Sequence, residues 1–65
     1  MITELDNLIK TLHTEGVDYL AKSDDMAVRG FQERAMWYDG MAEGIAGAIA
    51  EITILRDRLI EEGVK

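Results

Sequence analysis

The single histidine, His13, is the side chain in this sequence best suited to move protons near neutral pH. A catalytic triad would place it beside a nucleophile and an orienting carboxylate. Glu15 follows closely, but side chains two residues apart on a helix point away from each other. We therefore expect His13 to be an exposed or interfacial residue and the protein to have no catalytic site.

Carboxylates form the second group that could do chemistry. Asp39 and Glu43 are four residues apart and would share a helix face, with Glu51 two turns further on. Di-metal sites on helices use Glu-x-x-His pairs on facing helices, and the sequence contains no such pair. These residues predict a solvated acidic stripe, with no metal site and no cofactor.

Three glycines, Gly40, Gly44 and Gly47, follow one another at spacings of four and three. A phosphate-binding loop would place them after a strand, but these lie inside a helical pattern. Three glycines in a helix cost about 2–3 kcal/mol relative to alanine. We interpret them as positions of close helix approach, either to the first helix at Gly16 or to a symmetry-related copy.

Aromatic and basic residues supply the candidate binding site. Trp37 and Tyr38 are adjacent, so on a helix their side chains point about 100° apart, with Tyr38 in the core row and Trp37 outside it. An exposed tryptophan near arginine is typical of interaction hot spots, and the same set would suit a stacked nucleobase with its phosphate. The simpler interpretation, which we favour, is that Trp37 fills an oligomer interface, because so small a chain must bury such residues. The candidate interaction or ligand residues are Tyr19, Lys22, Arg29, Phe31, Arg34 and Trp37.

Two helical segments must position these side chains, because the sequence has no proline and its apolar residues recur every three or four positions. The first helix is predicted over residues 3–28, capped by Thr3, and the second over residues 32–62. From Tyr38 onward the apolar spacing alternates strictly between three and four, as in a left-handed helix seam. The predicted oligomer seam comprises Tyr38, Met41, Gly44, Ile45, Ala48, Ile52, Leu55 and Leu59.

A second apolar row, Ala42, Ala46 and Ile49, lies beside this seam and makes a face wider than one neighbouring helix covers. A chain of 65 residues buries too little surface to be comfortably stable alone. Without cysteine and with one histidine, disulfides and His-rich metal sites are excluded, which leaves oligomerisation. We predict one domain, residues 1–65, with an all-α fold: an antiparallel helical hairpin assembling into an oligomeric helical bundle, as a dimer or higher homo-oligomer.

The position of the turn has two candidates. Ser23-Asp24-Asp25 offers a helix cap with an acidic first turn, and Arg29-Gly30-Phe31 offers a glycine. Turning at Gly30 gives two arms of similar length that cover each other, whereas turning at Ser23 leaves a short arm against a very long helix. We favour Gly30 and keep Ser23–Asp25 as the alternative.

Residues 30–42 resemble the turn and second helix of a tetratricopeptide repeat. Gly30, Ala35, Tyr38 and Ala42 match that family's turn glycine, two alanines and intervening aromatic. The resemblance implies the hairpin geometry, and none of the family's peptide-binding residues is carried over. The run Gly-Met-Ala-Glu-Gly-Ile-Ala, residues 40–46, is similar in style to small accessory proteins encoded by bacteriophages.

The net charge of −6 opposes contact with nucleic-acid backbone or anionic lipid. The most apolar stretch, residues 41–49, is too short and too charged to span a bilayer, so we expect no membrane partner. A cysteine-free chain fits the cytoplasm, which would be the host cytoplasm for a phage protein.

These observations predict a small non-enzymatic oligomeric interaction protein. The phage resemblance suggests an accessory factor that inhibits or modulates a host defence system by binding another protein. One alternative is an oligomeric sponge that sequesters a small nucleotide. Another is an acidic nucleic-acid mimic that uses Asp24, Asp25, Asp39 and Glu43 to occupy a basic groove.

Overall fold

Two long helices joined by a tight turn make up the computed structural model, which describes residues 1–63. Helix α1 spans Ile2–Val28 and helix α2 spans Gln32–Glu61. They pack side by side into a rod of 50 × 14 × 10 Å. The predicted all-α hairpin is confirmed, and its helix boundaries agree with those predicted to within a residue. Neither described helix has a stretch long and apolar enough to cross a membrane.

Helix α1 begins one residue earlier than expected. Met1 occupies the N-cap position without a side-chain cap, and its carbonyl accepts the Leu5 amide at 3.1 Å. Thr3 lies inside the first turn, so its predicted role as the cap is wrong. An ion pair between the Met1 ammonium and Glu4 lowers the pKa of the Glu4 carboxyl. Within residues 1–63, no side chain caps this first turn.

The turn lies at Gly30, which confirms the favoured position. Gly30 has φ of 85°, a left-handed conformation that glycine adopts without steric strain. Its amide donates to the Ala27 carbonyl at 3.1 Å, and the Phe31 amide donates to the Met26 carbonyl at 2.8 Å. This pair of bonds is the Schellman arrangement, which satisfies carbonyls left free at a helix end.

The alternative turn at Ser23–Asp25 is wrong, because these residues continue α1. The Ser23 hydroxyl instead donates to the Ala35 carbonyl of α2 at 2.8 Å. The serine that suggested a helix start thus donates a hydrogen bond from one helix to the other. It ties α1 to the first turn of α2 just beyond the loop.

Each helix contributes one row of residues to the shared interface, with spacings that alternate between three and four. The α1 row is Ile2, Leu5, Ile9, Leu12, Gly16, Tyr19, Ser23 and Met26. The α2 row is Ala35, Tyr38, Ala42, Ile45, Ile49, Ile52, Arg56 and Leu59. A Cβ placed on Gly16 would lie 3.4 Å from Ile45 Cγ2, an ordinary van der Waals contact, so Gly16 faces α2 in the interface.

The interface between the helices is thin. Ala35 and Ala42, at 6% and 7% exposure, are the only buried residues within residues 1–63, and none of the large side chains there is fully buried. The remaining members of both rows are half-buried. Two helices cover only one face of each other, so the other apolar residues face outward.

The open end of the hairpin is joined by an ion pair. Arg56 lies in the α2 interface row, and its guanidinium donates to Asp6 of α1 at 3.0 Å and to Asp57 at 3.1 Å. The hydrogen bond to Asp6, and to a smaller extent the one to Asp57, raises the pKa of Arg56. The contact with Asp6 links residues 50 positions apart and sets the helices in register at the end far from the turn.

Replacing Gly30 by alanine should lower the free energy of unfolding by about 1–2 kcal/mol, because a Cβ is strained in the left-handed region. Gly40→Ala should have the opposite sign, raising it by about 0.5–1 kcal/mol, since Gly40 is helical with open space around an added Cβ. Urea unfolding followed by circular dichroism, at one protein concentration, measures both. Equal stability of Gly30→Ala and the parent would contradict this account of the turn.

Candidate interaction surfaces

The structure divides the predicted oligomer seam between two environments. Four of its members are half-buried against α1: Tyr38, Ile45, Ile52 and Leu59. Met41, Gly44 and Leu55 are exposed, and Ala48, on the same side of α2 as these three, is half-buried. The division arises because α1 lies over the side of α2 that carries Ala42 and Ile49. The part of the seam that α1 leaves uncovered is therefore available to another chain.

We call the stripe on this side the outer seam: Arg34, Met41, Ala48 and Leu55 of α2 and Glu62, which caps its C-terminal end, each seven residues from the next. A seven-residue spacing keeps side chains on one face of a helix. Met41 and Leu55 are 37% and 45% exposed. Trp37, one turn before Met41, is 60% exposed. The outer seam is thus apolar in its middle and charged at both ends.

The glycines of α2 do not approach α1. A Cβ added at Gly40, Gly44 or Gly47 would meet nothing within 4 Å, so the prediction that they pack against the first helix is wrong. They lie on the outward side of α2, whereas Gly16 on the other helix faces Ile45. Their packing against a symmetry-related copy stays a prediction.

Three of the predicted ligand residues meet at the turn half of the hairpin. We call this group, with the tyrosine that joins them, the aromatic cluster: Tyr19, Lys22, Trp37 and Tyr38. The Tyr38 ring centre lies 5.0 Å from that of Trp37 and 6.0 Å from that of Tyr19. Lys22 Nζ lies 5.5 and 5.9 Å from the two tyrosine ring centres. The cluster combines exposed aromatic surface with one cation.

The other predicted ligand residues form separate pairs around the turn. The Arg34 guanidinium lies 5.9 Å from the Phe31 ring centre, and Arg29 pairs with Asp25 at 3.3 Å. The sequence placed Phe31 and Arg34 within reach of Trp37, but Trp37 packs edge-on against Tyr38. The six candidate residues therefore divide into members of the aromatic cluster and a second group at the turn.

An apolar groove lies on the opposite flank of the hairpin, and sequence reasoning missed it. It encloses about 200 Å³ and is open to solvent. Its lining residues are His13, Gly16, Val17, Leu20, Ala42, Ile45, Ala46 and Ile49. Small residues of both helices make its floor. Gly16 was the available signal, but which residues face it depends on how the two helices pair.

The rim of the groove is acidic at the turn side. Asp24 lies one turn beyond Leu20, and Asp39 and Glu43 lie one turn before groove residues of α2. Within residues 1–63 none of these three carboxylates forms an ion pair. Asp25, the fourth residue of the proposed mimic stripe, pairs with Arg29 instead. His13 is exposed at the groove's edge.

Gly16→Ala should stabilise the protein by about 0.5–1 kcal/mol, because alanine is the better helix former and its Cβ fits at 3.4 Å from Ile45 Cγ2. Gly16→Leu should lower stability relative to Gly16→Ala, since the longer side chain meets Ile45 or fills the groove. Thermal unfolding of the two variants at equal concentration separates these effects. If Gly16→Ala were less stable than the parent, the helices would approach more closely here than the structure shows.

The outer seam, the aromatic cluster and the groove could bind a partner through apolar contacts, aromatic stacking and charge. Among residues 1–63 no group of three or more histidine or acidic side chains is placed to hold a metal ion. Comparison with known proteins finds no matching protein-family model, curated protein or solved structure.

Proposed function

We propose that this protein is a non-enzymatic oligomeric interaction protein of the bacteriophage accessory type, which inhibits or modulates a host defence system by binding one of its proteins. The observation that supports this function is the apolar surface left exposed on both flanks of the hairpin. Met41 and Leu55 lie on one flank, and Val17 and Leu20 on the other. Extended exposed apolar patches usually mark interaction sites.

Of the two flanks, the groove is the better surface for binding the host protein. Both helices line it, so it suits an amphipathic helix laid along the hairpin with an apolar side chain in the groove. The carboxylates of Asp24, Asp39 and Glu43 beside it complement lysine or arginine on that helix. The partner we propose is therefore a basic amphipathic helix of a host protein.

The outer seam is the better surface for self-association, since it lies mainly on one helix and carries both signs of charge. It occupies the flank that carries Trp37, away from the groove. A second copy bound there would leave the groove open. Self-association and partner binding can therefore occur together, which fits an oligomeric inhibitor.

The test is made in bacteria that carry a panel of individual defence systems. Expression of the protein should raise phage plating on at least one system by about tenfold or more. Val17→Glu should abolish this rescue by placing a charge in the groove wall. Ala21→Glu is the matched control, because Ala21 is exposed outside the groove and takes the same charge.

Failure of the expressed, folded protein to rescue any system would count against the inhibitor function. Rescue that Val17→Glu and Ala21→Glu preserve equally would keep that function and remove the groove from it. Circular dichroism of both variants checks that each remains helical.

A second function, sequestration of a small nucleotide, is favoured by the aromatic cluster. Trp37 and the two tyrosines supply ring surfaces for a base, and Lys22 lies within 6 Å of both tyrosine ring centres. Base stacking on aromatic side chains contributes about 1–3 kcal/mol per base. One cation is suited to a single phosphate or a cyclic nucleotide.

Titration with cyclic nucleotides, followed by Trp37 fluorescence, tests this second function. We expect quenching that saturates at micromolar ligand and weakens about tenfold in Lys22→Ala. Lys10→Ala is the control, because it removes the same charge elsewhere on α1. Fluorescence unchanged by millimolar nucleotide would exclude the sponge and leave the inhibitor function untouched.

A further inference from the structure

We infer that two copies of the hairpin associate by laying their outer seams together antiparallel, about a two-fold axis that passes beside Ala48. This inference rests on the proposed self-association and specifies its surface, direction and register. It makes α2 the central helix of the assembly, with α1 outside it on each copy. The groove remains on the outer side of each hairpin.

The order of residues along the outer seam is complementary to itself when reversed. Ala48 is equidistant in sequence from Met41 and Leu55, and also from Arg34 and Glu62. In an antiparallel pair centred on Ala48, Arg34 of one copy faces Glu62 of the second copy. Met41 then faces Leu55, and Ala48 faces itself. Each end gains an ion pair, and the middle is apolar throughout.

The neighbouring stripe of α2 has the same symmetry. It consists of Trp37, Gly44, Glu51 and Arg58, again seven residues apart. The same register places Trp37 within one residue of the level of Arg58 of the second copy, where a guanidinium can lie over the indole ring. Glu51 then falls opposite Gly44, which leaves room for its side chain. The midpoint of this stripe falls half a residue before Ala48, so the two stripes favour the same register to within one residue.

The ion pairs within one hairpin do not use the charged residues of the two stripes. Within residues 1–63, ion pairs involve the Met1 ammonium, Arg29 and Arg56 as the cations. Arg34, Arg58, Glu51 and Glu62 take part in none of them. A parallel pair would place Arg34 on Arg34 and Glu62 on Glu62, and like charges would oppose it. The antiparallel direction is therefore favoured by charge and by apolar matching together.

The length of the seam suits a stable contact. From Arg34 to Glu62 the stripe extends about 42 Å at 1.5 Å per residue. That is most of the 50 Å length of the rod. Leu8 of α1 is exposed in the half of the hairpin far from the turn, where Arg56 pairs with Asp6. It can extend the apolar contact near Leu55.

Cysteine cross-linking tests the register, because the chain has no cysteine of its own. Ala48→Cys should oxidise rapidly to a disulfide-linked dimer at micromolar protein. Leu55→Cys alone should not, whereas an equal mixture of Leu55→Cys and Met41→Cys should link one of each. Ala21→Cys, exposed on the far side of α1, is the control for random collisions.

Charge exchange tests the ion pairs. Arg34→Glu and Glu62→Arg should each weaken the dimer about tenfold, because each places like charges at both ends of the seam. The double variant should restore the parent affinity. Lys10→Glu changes the net charge as Arg34→Glu does, away from the seam, and should leave the affinity unchanged. Sedimentation equilibrium measures all four, with circular dichroism to confirm folding.

The outcomes separate this inference from the proposed function. A folded species of 7.3 kDa, the mass of one chain, at micromolar concentration would overturn both the self-association and its interface. A stable dimer in which Ala48→Cys does not cross-link, or in which the double charge variant does not recover, would overturn the antiparallel seam alone. Cross-linking at Ala48 with recovery in the double variant would support both.

Discussion

A pair of helices can share only one face of each, and this constraint governs everything else in the molecule. Where α1 and α2 meet, the residues most deeply buried are small ones, Ala35 and Ala42 of α2, and Gly16 of α1 faces Ile45. Small residues bring the helix axes together but bury little volume. The larger apolar side chains therefore end half-buried at the edges of the contact or exposed on the two flanks.

Two overlapping rows of α2 could face α1: the observed interface row, with Ala42 and Ile49, and the predicted oligomer seam, with Met41 and Leu55. Polar contacts decide between them. Both rows contain Tyr38, Ile45, Ile52 and Leu59, so apolar burial alone distinguishes them weakly. The row that α1 takes includes Ala35, whose carbonyl accepts the Ser23 hydroxyl, and Arg56, which reaches Asp6. Rolling α1 toward the outer seam would break both contacts. One lies beside the turn and one near the open end, so together they fix the rotation of each helix.

This choice gives the hairpin two different flanks. On the groove flank both helices contribute apolar lining, and the rim is acidic. On the outer-seam flank α2 contributes most of the surface, with charges of both signs that complement a reversed copy. Trp37 lies both in the aromatic cluster and on the stripe beside the outer seam. A nucleotide stacked on Trp37 would therefore compete with a second copy, which makes ligand capture and the proposed dimer opposed states.

The sequence by itself determined the all-α hairpin, and it favoured the turn at Gly30, with the helix bounds that follow from it, over the alternative at Ser23–Asp25. Three-and-four spacing in both arms, without proline, predicts helices, and Gly30 can adopt a positive φ that other residues resist. It also placed Tyr38 in the interface and Trp37 outside it, because adjacent residues on a helix point about 100° apart. These are local properties, set by a few neighbouring residues.

Only the tertiary structure decided which of two apolar rows α1 covers, and hence where the groove and the outer seam lie. That decision depends on pairs such as Asp6 with Arg56 and Gly16 with Ile45, which are distant in the chain. Spacing along one helix shows that a face is apolar and how wide it is. It does not show which part of that face a second helix will occupy, because this depends on the relative rotation of the two helices about their axes.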